Sequence, residues 1–187
     1  EMWGEVSRLQ PNAADLPEHL ERLGRALGDM EGLAAALGDL RSQTDDPDVS
    51  LAVAASLGPI LDQDLGRPAA AIACYEALRA NDPLHSAALA ALDRLYGETD
   101  RFDDLGEILE ARIQLDDAQD LTPLRLRLGA LREERFGDVP GALDCYRQVI
   151  SDDPRSPQAR DALERLADDM DHRAEAVEVL DSLYRTS

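Results

Sequence analysis

The sequence predicts an all-α protein made of stacked antiparallel helix hairpins, and three observations support this fold class. A segment of the chain recurs at a fixed distance, which is typical of repeat proteins. Hydrophobic residues make up 44% of the chain but aromatic residues only 4%, so the core must consist of Leu, Ala, Val and Ile, which suit close helix packing. No segment shows the alternation of polar and apolar residues that predicts a β-strand.

The repeat is clearest over residues 137–166. Residues of this segment that recur 71 positions earlier include Gly66 and Gly137, Cys74 and Cys145, Tyr75 and Tyr146, Pro83 and Pro154, Leu92 and Leu163, and Leu95 and Leu166. A partial copy, 72 residues before Tyr75, Pro83, Leu92 and Leu95, consists of Trp3, Pro11, Leu20 and Leu23. A Leu-x-Arg-Leu signature closes all three copies, so the sequence predicts a repeat array.

Three helices are predicted in the first part of the chain. Residues 1–9 place apolar side chains at helical spacing and end before a proline, so we interpret them as the last helix of a preceding hairpin. The next helix covers residues 17–27, with Asp15 as its N-cap and a proline in its first turn. Gly28 breaks the pattern, and a shorter helix follows over residues 31–42.

A longer helix is predicted over residues 49–65. Asp45 and Asp46 precede it, where carboxylates accept hydrogen bonds from unpaired backbone N–H groups and meet the positive end of the helix dipole. Pro59 lies inside this helix and removes one backbone hydrogen bond, so a kink is expected at residues 55–59.

The remaining helices follow the same scheme. A proline in the first turn begins the helix over residues 68–80, and an Asn-Asp-Pro sequence ends it. A turn separates the next two helices, over residues 85–96 and 102–115. After an acidic linker the order repeats, with predicted helices over residues 121–136, 139–150, 157–167 and 172–184. Connections of ~2 to 8 residues are typical of antiparallel helix hairpins.

The chain carries a formal net charge of −20. Phosphate binding requires clustered cations, so this charge argues against nucleic acid as a partner. An acidic surface suits basic protein partners, although it also keeps a long array soluble without any binding role. No apolar run approaches the ~20 residues of a membrane span, so membrane insertion is not expected.

The two cysteines, Cys74 and Cys145, occupy equivalent positions of the repeat. A whole repeat unit separates such positions, which is far beyond the ~7 Å that a disulfide allows between Cα atoms. Both are therefore predicted to be reduced and buried, which favours a cytoplasmic location. All 19 basic residues are Arg, a bias that suggests a bacterial source. Because the chain begins at Glu1 inside a predicted helix, we expect residues 1–187 to be a single repeat domain of about five hairpins cut from a longer array.

Half of the 71-residue period is close to the ~34 residues of the tetratricopeptide repeat and shorter than the ~40 to 47 residues of HEAT and armadillo repeats. The motif residues agree with the first of these: Leu57-Gly58, Ala71, Tyr75 and Pro83, and then Leu128-Gly129, Ala142, Tyr146 and Pro154. The chain therefore resembles the tetratricopeptide repeat family, most closely over residues 51–83 and 122–154, although the usual Trp of the first helix is missing. The resemblance implies a right-handed superhelix whose first helices line a concave face.

The resemblance also implies a protein-interaction scaffold that is not an enzyme, needs no cofactor and binds a partner protein or peptide on the concave face. Carried over position by position, the family pattern assigns six residues to this face: Ala55, Pro59, Asp62, Leu126, Ala130 and Glu133. Such a groove would suit a peptide with apolar anchors and basic flanks. By analogy, bacterial arrays of this kind assemble motility, polarity or envelope machinery. The alternative is a purely architectural acidic spacer between functional domains.

Two arginines of the predicted helix over residues 121–136 form a further candidate site. Arg125 and Arg132 are seven residues apart and share a helix face, so they could clamp the carboxylate of a partner bidentately. The alternative is that they pair with Glu133, Glu134 and aspartates of adjacent helices.

An enzymatic function has little support in the sequence, which contains no G-x-S-x-G, H-E-x-x-H or Walker-type motif. The acidic run over residues 168–171 resembles, weakly, the Asp-rich metal motif of helical prenyl-transfer enzymes. Such enzymes need an aromatic-lined cavity, and this chain has few aromatic residues to line one. His19, His85 and His172 lie near predicted helix starts and are expected to have surface roles, and no metal site is expected.

Overall fold

The structure is a computed structural model of the 187-residue chain, and it describes residues 16–115, 120–168, 173–174 and 176–179. All regular secondary structure in these residues is helical, as predicted. The α-helices, in chain order, are α1 (Leu16–Leu27), α2 (Met30–Gln43), α3 (Pro47–Pro59), α4 (Pro68–Asn81), α5 (Ser86–Glu98), α6 (Phe102–Leu115), α7 (Thr122–Leu131), α8 (Val139–Asp152) and α9 (Pro157–Asp168). The predicted helix over residues 1–9 and the predicted cap Asp15 lie outside the described residues, as does most of the predicted helix over residues 172–184.

The predicted helix boundaries are confirmed to within a few residues, and the differences have local causes. Helix α3 begins at Pro47 rather than at residue 49, because Asp46 is its N-cap and proline is tolerated in the first turn. One carboxylate oxygen of Asp46 accepts hydrogen bonds from the backbone N–H groups of Asp48, at 2.9 Å, and Val49, at 3.4 Å. The predicted capping role of this aspartate is therefore confirmed.

Helices α3 and α7 both continue into a π-helical turn, the first over Ile60–Asp64 and the second over Arg132–Phe136. Helix α3 remains α-helical through Pro59, and the π turn follows it, so the irregular turn lies beyond residues 55–59; the kink expected there stays a prediction. Ala130 occupies the equivalent position in α7, yet a π turn follows there too. A proline is therefore not required for this π turn, which recurs in both units.

The chain divides into two compact units at the boundary between Leu95 and Tyr96. In the first unit, α3 packs against α4 and also against α2. Its core consists of fully buried aliphatic residues, among them Leu33, Leu37, Val53 and Ile60. The prediction that residues 1–187 form a single repeat domain stays a prediction.

The second unit repeats this arrangement, with α7 packed against both α6 and α8 and with α9 packed against α8. Its core joins one face of α8 to one face of α9 and to the helical residues 176–179. The buried members of this core are Val139, Ala142, Leu143, Tyr146, Val149, Ile150, Ala159, Ala162, Leu163, Leu166, Ala176 and Val179. Both units therefore bury the cysteine, the tyrosine and the two leucines of the repeat, whereas its glycine and its proline are exposed.

Both cysteines are buried and free, as predicted. Burial raises the pKa of the thiol groups of Cys74 and Cys145, so both are poor nucleophiles at neutral pH. None of the helices in the described residues is both long and apolar enough to span a bilayer.

Candidate functional site

A groove of about 440 Å³ lies between α3, α4 and α5 in the first unit. Helix α3 and the first π turn contribute Ala55, Pro59 and Asp62, which are the three residues that the sequence predicts for a binding face in this part of the chain. The other lining residues, from the first π turn, α4 and α5 with the residue before it, are Gln63, Tyr75, Leu78, His85, Ala87, Ala90, Ala91 and Arg94. The structure therefore brings the predicted residues together in one open depression.

Small apolar side chains dominate the walls of the groove. Ala55, Ala87 and Ala90 are exposed to solvent, while Tyr75 and Leu78 are buried beneath them. Alanine walls allow another backbone to approach closely, and a buried floor of leucine and tyrosine offers apolar contact to an inserted side chain. Chemically, the groove can bind an apolar side chain of a partner.

Asp62 forms an ion pair with Arg94 across the groove. The carboxylate side chain is only 6% exposed, whereas the arginine side chain is 47% exposed. The charge of Asp62 is therefore balanced by an arginine of the same unit, and its role on a binding face stays a prediction. Burial, and then the neighbouring Asp62 carboxylate, raise the pKa of the Tyr75 hydroxyl above its ordinary value.

The second unit contains the same three groups 71 residues later. Glu133 forms an ion pair with Arg165 and accepts a hydrogen bond from the hydroxyl of Tyr146 at 3.1 Å. The second guanidinium nitrogen of Arg165 also donates to Glu133, at 3.2 Å. We call Asp62, Tyr75 and Arg94 the first acid–Tyr–Arg cluster, and Glu133, Tyr146 and Arg165 the second.

The two arginines of these clusters were missed by sequence reasoning, although a signal for them was present. Arg94 and Arg165 are the arginines of the Leu-x-Arg-Leu signature, and each lies 32 residues after its acidic partner. An arginine and an acid that recur together at the repeat period keep the same spacing in both units, which indicates a contact. The signature is thus explained by an ion pair that joins one hairpin to the next helix.

The predicted binding residues of the second unit are placed differently from those of the first. Leu126 is half-buried and packs against the core of this unit, and Ala130 is also half-buried. Leu126 occupies the position of Ala55 in the repeat, and the exposed Asp161 occupies that of Ala90. The lining of small apolar residues in the first unit is therefore replaced by larger and acidic residues in the second.

Arg125 and Arg132 lie on a different face of α7 and its π turn from Leu126, Ala130 and Glu133. They line a separate cavity of about 240 Å³ between α6, α7 and α8. Arg125 pairs with Asp152 of α8, and Arg132 pairs with Glu110 of α6 at 2.6 Å. The prediction of pairing with aspartates of adjacent helices is confirmed for Asp152, whereas pairing with Glu133 and Glu134 is wrong. The eight predicted residues therefore do not form one site.

The described residues contain no group of three or more histidine, cysteine or acidic side chains that could hold a metal ion. His85 precedes α5, and its Nδ1 accepts a hydrogen bond from the backbone N–H of Ala88 at 3.2 Å, so it caps the helix. Most of the acidic run over residues 168–171 lies outside the described residues. The absence of enzymatic activity stays a prediction.

Residues 124–156 match the tetratricopeptide repeat family. A comparison with curated protein sequences finds no match to the chain. Its structure is similar to a crystal structure of MamA protein, with a TM-score of 0.55 and 19% identity over 92% of this chain and 90% of that one. A second MamA structure gives a TM-score of 0.50 with 20% identity over 88% of this chain and 92% of that one.

A tetratricopeptide repeat protein from Parabacteroides merdae is similar as well, with a TM-score of 0.52 and 17% identity over 99% of this chain and 71% of that one. At such identities the likeness concerns the fold. Together with the sequence match over residues 124–156, it shows that this chain has a tetratricopeptide-like fold of helical hairpins.

Proposed function

We propose that this chain is a protein-interaction scaffold that binds a peptide segment of a partner protein in the groove of the first unit. The observation that carries this proposal is the open groove of about 440 Å³ with exposed alanines along its walls and buried Tyr75 and Leu78 beneath them. The tetratricopeptide-like fold supports a scaffold role in general.

The shape of the groove suits apolar anchors. A volume of this size lies within the ~300 to 1,000 Å³ range of ligand pockets, and it has room for one or two side chains of a peptide. Fully burying a single Val, Leu, Ile, Phe or Met side chain contributes about 1.5 to 3 kcal/mol. Two anchors of this kind would supply much of the free energy of a weak, reversible complex.

Charge supplies the second part of the proposal. Because Asp62 is neutralised by Arg94, attraction to a basic partner must come from the field of the whole chain, whose formal net charge is −20. Such a field accelerates encounter more than it strengthens the final complex. We therefore expect the partner segment to carry basic residues beside its apolar anchors, and added salt to lower the association rate more than it raises the dissociation rate.

The architectural spacer is the alternative function. A spacer needs a uniformly charged surface and no groove, so the alanine-lined groove of the first unit favours binding. A role in bacterial motility, polarity or envelope assembly, in the cytoplasm, is part of the proposal by analogy with other bacterial repeat arrays.

The repeat itself offers a matched pair of variants to test the groove. Position 55 of the first unit is equivalent to position 126 of the second unit, which is a leucine. The Ala55→Leu variant should therefore fill the groove without unfolding the helices. Leu126→Ala is the reciprocal control. Peptides selected from a displayed random library on the whole chain at low salt would be titrated against both variants.

Peptides that bind in the groove should bind the Ala55→Leu variant at least about tenfold more weakly, which corresponds to the loss of one apolar anchor. The Leu126→Ala variant should bind them as the wild type does. Equal affinity of all three proteins would place the peptides elsewhere, and a library that yields no binder would favour the spacer.

A further inference from the structure

Two side chains of the groove in the first unit carry polar groups that the rest of this unit does not use. His85 lies beside the alanines of α5, Gln63 lies in the first π turn, and both line the groove. Their counterparts in the second unit are Ser156 and Glu134, so the pair is specific to the first unit. Because both belong to the groove, a binding role for them rests on the proposed function.

The ring of His85 is held in one tautomer. Its Nδ1 atom accepts a hydrogen bond from the backbone N–H of Ala88 at 3.2 Å, so the neutral ring carries its proton at Nε2. No described residue accepts a hydrogen bond from Nε2, and this atom is not one of their buried unsatisfied nitrogens, so it is accessible to solvent. With Nδ1 turned towards α5, the Nε2–H group is an unused donor of fixed orientation in a residue that lines the groove.

The second unit shows that capping this helix does not require a histidine. Ser156 occupies the equivalent position, and its Oγ atom accepts a hydrogen bond from the backbone N–H of Ala159 at 3.5 Å. The serine is only 2% exposed, so it presents no group to a partner. The histidine of the first unit caps its helix in the same way and adds an accessible donor.

Gln63 lies at the other end of the groove. Arg94 marks that end, because it pairs with Asp62, the residue before Gln63. The side chain of Gln63 is exposed, and its amide makes no hydrogen bond within the described part of the chain. Since an amide both donates and accepts, it can bind either the N–H or the C=O group of a peptide bond.

The length of the groove fits a short extended segment. The wall of α5 from Ala87 to Arg94 rises about 10 Å, at ~1.5 Å per residue. Three residues of an extended chain span about the same distance, and their first and third side chains project to the same side, about 6 to 7 Å apart. Two apolar anchors of such a segment could enter the groove together, which agrees with its volume of about 440 Å³.

The two unused polar groups distinguish an extended segment from a helical one. A helix uses its backbone N–H and C=O groups internally, whereas an extended segment leaves them free to bind a partner. We propose that the groove binds its peptide in an extended conformation. The Nε2–H group of His85 donates to a backbone carbonyl oxygen of the peptide, and the amide of Gln63 binds a second peptide group.

The first test needs only the free protein. A multiple-bond ¹H–¹⁵N NMR spectrum of the whole chain should show His85 with a protonated Nε2 and an unprotonated Nδ1. A proton at Nδ1 would overturn the role of the ring as a donor from Nε2, and it would leave the proposed peptide binding untouched.

The second test uses the peptides selected from the displayed library on the whole chain. His85→Ser keeps a capping side chain, as in the second unit, but removes the Nε2 donor, and Gln63→Met removes the amide at similar length. Each variant should bind the peptides about two- to tenfold more weakly, as expected for one lost neutral hydrogen bond. His19→Ser and Gln148→Met change exposed residues outside the groove and should bind as the wild type does.

The conformation of the peptide is measured directly. In a complex with a ¹³C-labelled selected peptide, the Cα and Cβ chemical shifts should be those of an extended chain, and helical shifts would overturn the proposal. Alanine substitution of each non-anchor residue of the peptide, combined with His85→Ser in a double-mutant cycle, identifies the acceptor. A backbone acceptor predicts no coupling, whereas coupling to one polar side chain would contradict it.

The outcomes separate this proposal from the proposed function. Peptides that lose affinity for Ala55→Leu but bind His85→Ser and Gln63→Met as they bind the wild type would keep the groove as the binding site and overturn the backbone contacts. A library without binders would overturn both. Circular dichroism checks that the helices of each variant are intact, and the spectra of the wild-type protein and of the bound peptide decide the question if a variant does not fold.

Discussion

Glycines 58 and 129 each lie against the ring of a buried tyrosine. A Cβ atom added to Gly129 would lie 2.7 Å from Cε1 of Tyr146, and one added to Gly58 would lie 3.1 Å from Cε1 of Tyr75. The Leu-Gly motif of the repeat therefore allows a tyrosine of the second helix to pack directly onto the first. Gly38, in the middle of α2, has no neighbouring atom within 4 Å of the same added Cβ.

The substitution Gly129→Ala should destabilise the protein by about 1 to 3 kcal/mol, because the Tyr146 ring or the backbone must move to admit the methyl group. Gly58→Ala should cost less, since its contact is longer. Gly38→Ala should stabilise the protein by about 0.5 to 1 kcal/mol through helix propensity. Urea unfolding of the three variants measures these differences. A Gly129→Ala variant as stable as the wild type would show that the tyrosine packs less closely than described.

The hydroxyl of Tyr146 gives the chain a pH dependence in the alkaline range. Burial, and then the carboxylate of Glu133, raise its pKa above the ordinary value of 10.0. The folded protein therefore keeps this proton while the unfolded chain releases it above about pH 10. Stability contributed by the hydroxyl is fully present below pH 10 and is lost as the pH rises towards the folded-state pKa.

We expect Tyr146→Phe to be less stable than the wild type at pH 8, by about 1.5 to 3 kcal/mol, because it loses the hydrogen bond to Glu133. Between pH 8 and pH 11 the variant should lose less stability than the wild type, so the two curves approach each other. Urea unfolding at a series of pH values measures both. Since the buried thiols of Cys74 and Cys145 titrate in both proteins, the difference between the curves reports Tyr146 alone. Parallel curves would contradict the raised pKa.

At the residue scale, the sequence predicts which side chains are buried better than it predicts how charges pair. Tyr75, Tyr146 and the two cysteines lie on the apolar sides of their predicted helices, so their burial follows from local spacing. The partner of Asp62 does not follow from local spacing, because an ion pair depends on which helix lies across the groove, and only the joint recurrence of the acid and the arginine in the second unit indicates it. A single carboxylate on a helix face looks equally free or paired until the neighbouring helix is placed.

At the scale of helices, each buried cysteine is approached by a guanidinium group, but from a different helix in each unit. In the first unit Arg41 of α2 lies 3.5 Å from the Sγ atom of Cys74. In the second unit the distance from Arg132 to Cys145 is 3.7 Å. Helices α2 and α6 begin 72 residues apart, so the counterpart of Arg41 is Ile113. The contact between an arginine and the buried cysteine is therefore present in both units, but a different helix supplies the arginine in each.

This exchange predicts a compensating pair of substitutions in the second unit. Position 132 of the second unit is equivalent to position 61 of the first unit, which is a leucine, so Arg132→Leu makes the two units alike at this position. The substitution should destabilise the protein by about 1 kcal/mol, because the contacts with Gly141 and Glu110 are lost. Adding Ile113→Arg should restore at least half of the loss, by analogy with Arg41. A double-mutant cycle in urea measures the coupling between the two sites. A double variant no more stable than Arg132→Leu alone would contradict the exchange.

Helix positions follow from the sequence because caps, prolines and apolar spacing act locally, as at Asp46 and Pro47. The π turns could not be predicted in this way. Pro59 suggests an irregular helix because a proline removes a backbone hydrogen bond. The second unit has Ala130 at the equivalent position, yet the same kind of turn follows it. Each turn is followed closely by a glycine with positive φ, Gly66 at 60° and Gly137 at 64°. This shared glycine, rather than the proline, is the sequence feature that accompanies the turn.

At the scale of the whole molecule, the net charge follows directly from the composition, and the structure shows which of the charged groups are neutralised by ion pairs. The net charge is −20 on 187 residues. The acids of the two acid–Tyr–Arg clusters are nevertheless neutralised by Arg94 and Arg165, so the net negative charge that affects stability resides in the exposed acids. Among these are Asp64, Asp161 and Glu164.

Repulsion among these acids destabilises the folded protein at low salt, so screening by added salt should increase its stability. The screening length falls from about 30 Å at 0.01 M to about 3 Å at 1 M salt, which removes most of the repulsion between exposed charges. Exposed ion pairs weaken under the same conditions, but each contributes only ~0 to 1 kcal/mol. We expect the thermal midpoint to rise between 10 mM and 1 M sodium chloride, as followed by circular dichroism.

A triple variant with Asp64→Asn, Asp161→Asn and Glu164→Gln should have a higher midpoint than the wild type at 10 mM and the same midpoint at 1 M. A midpoint that falls with salt would instead show that ion pairs outweigh the net charge.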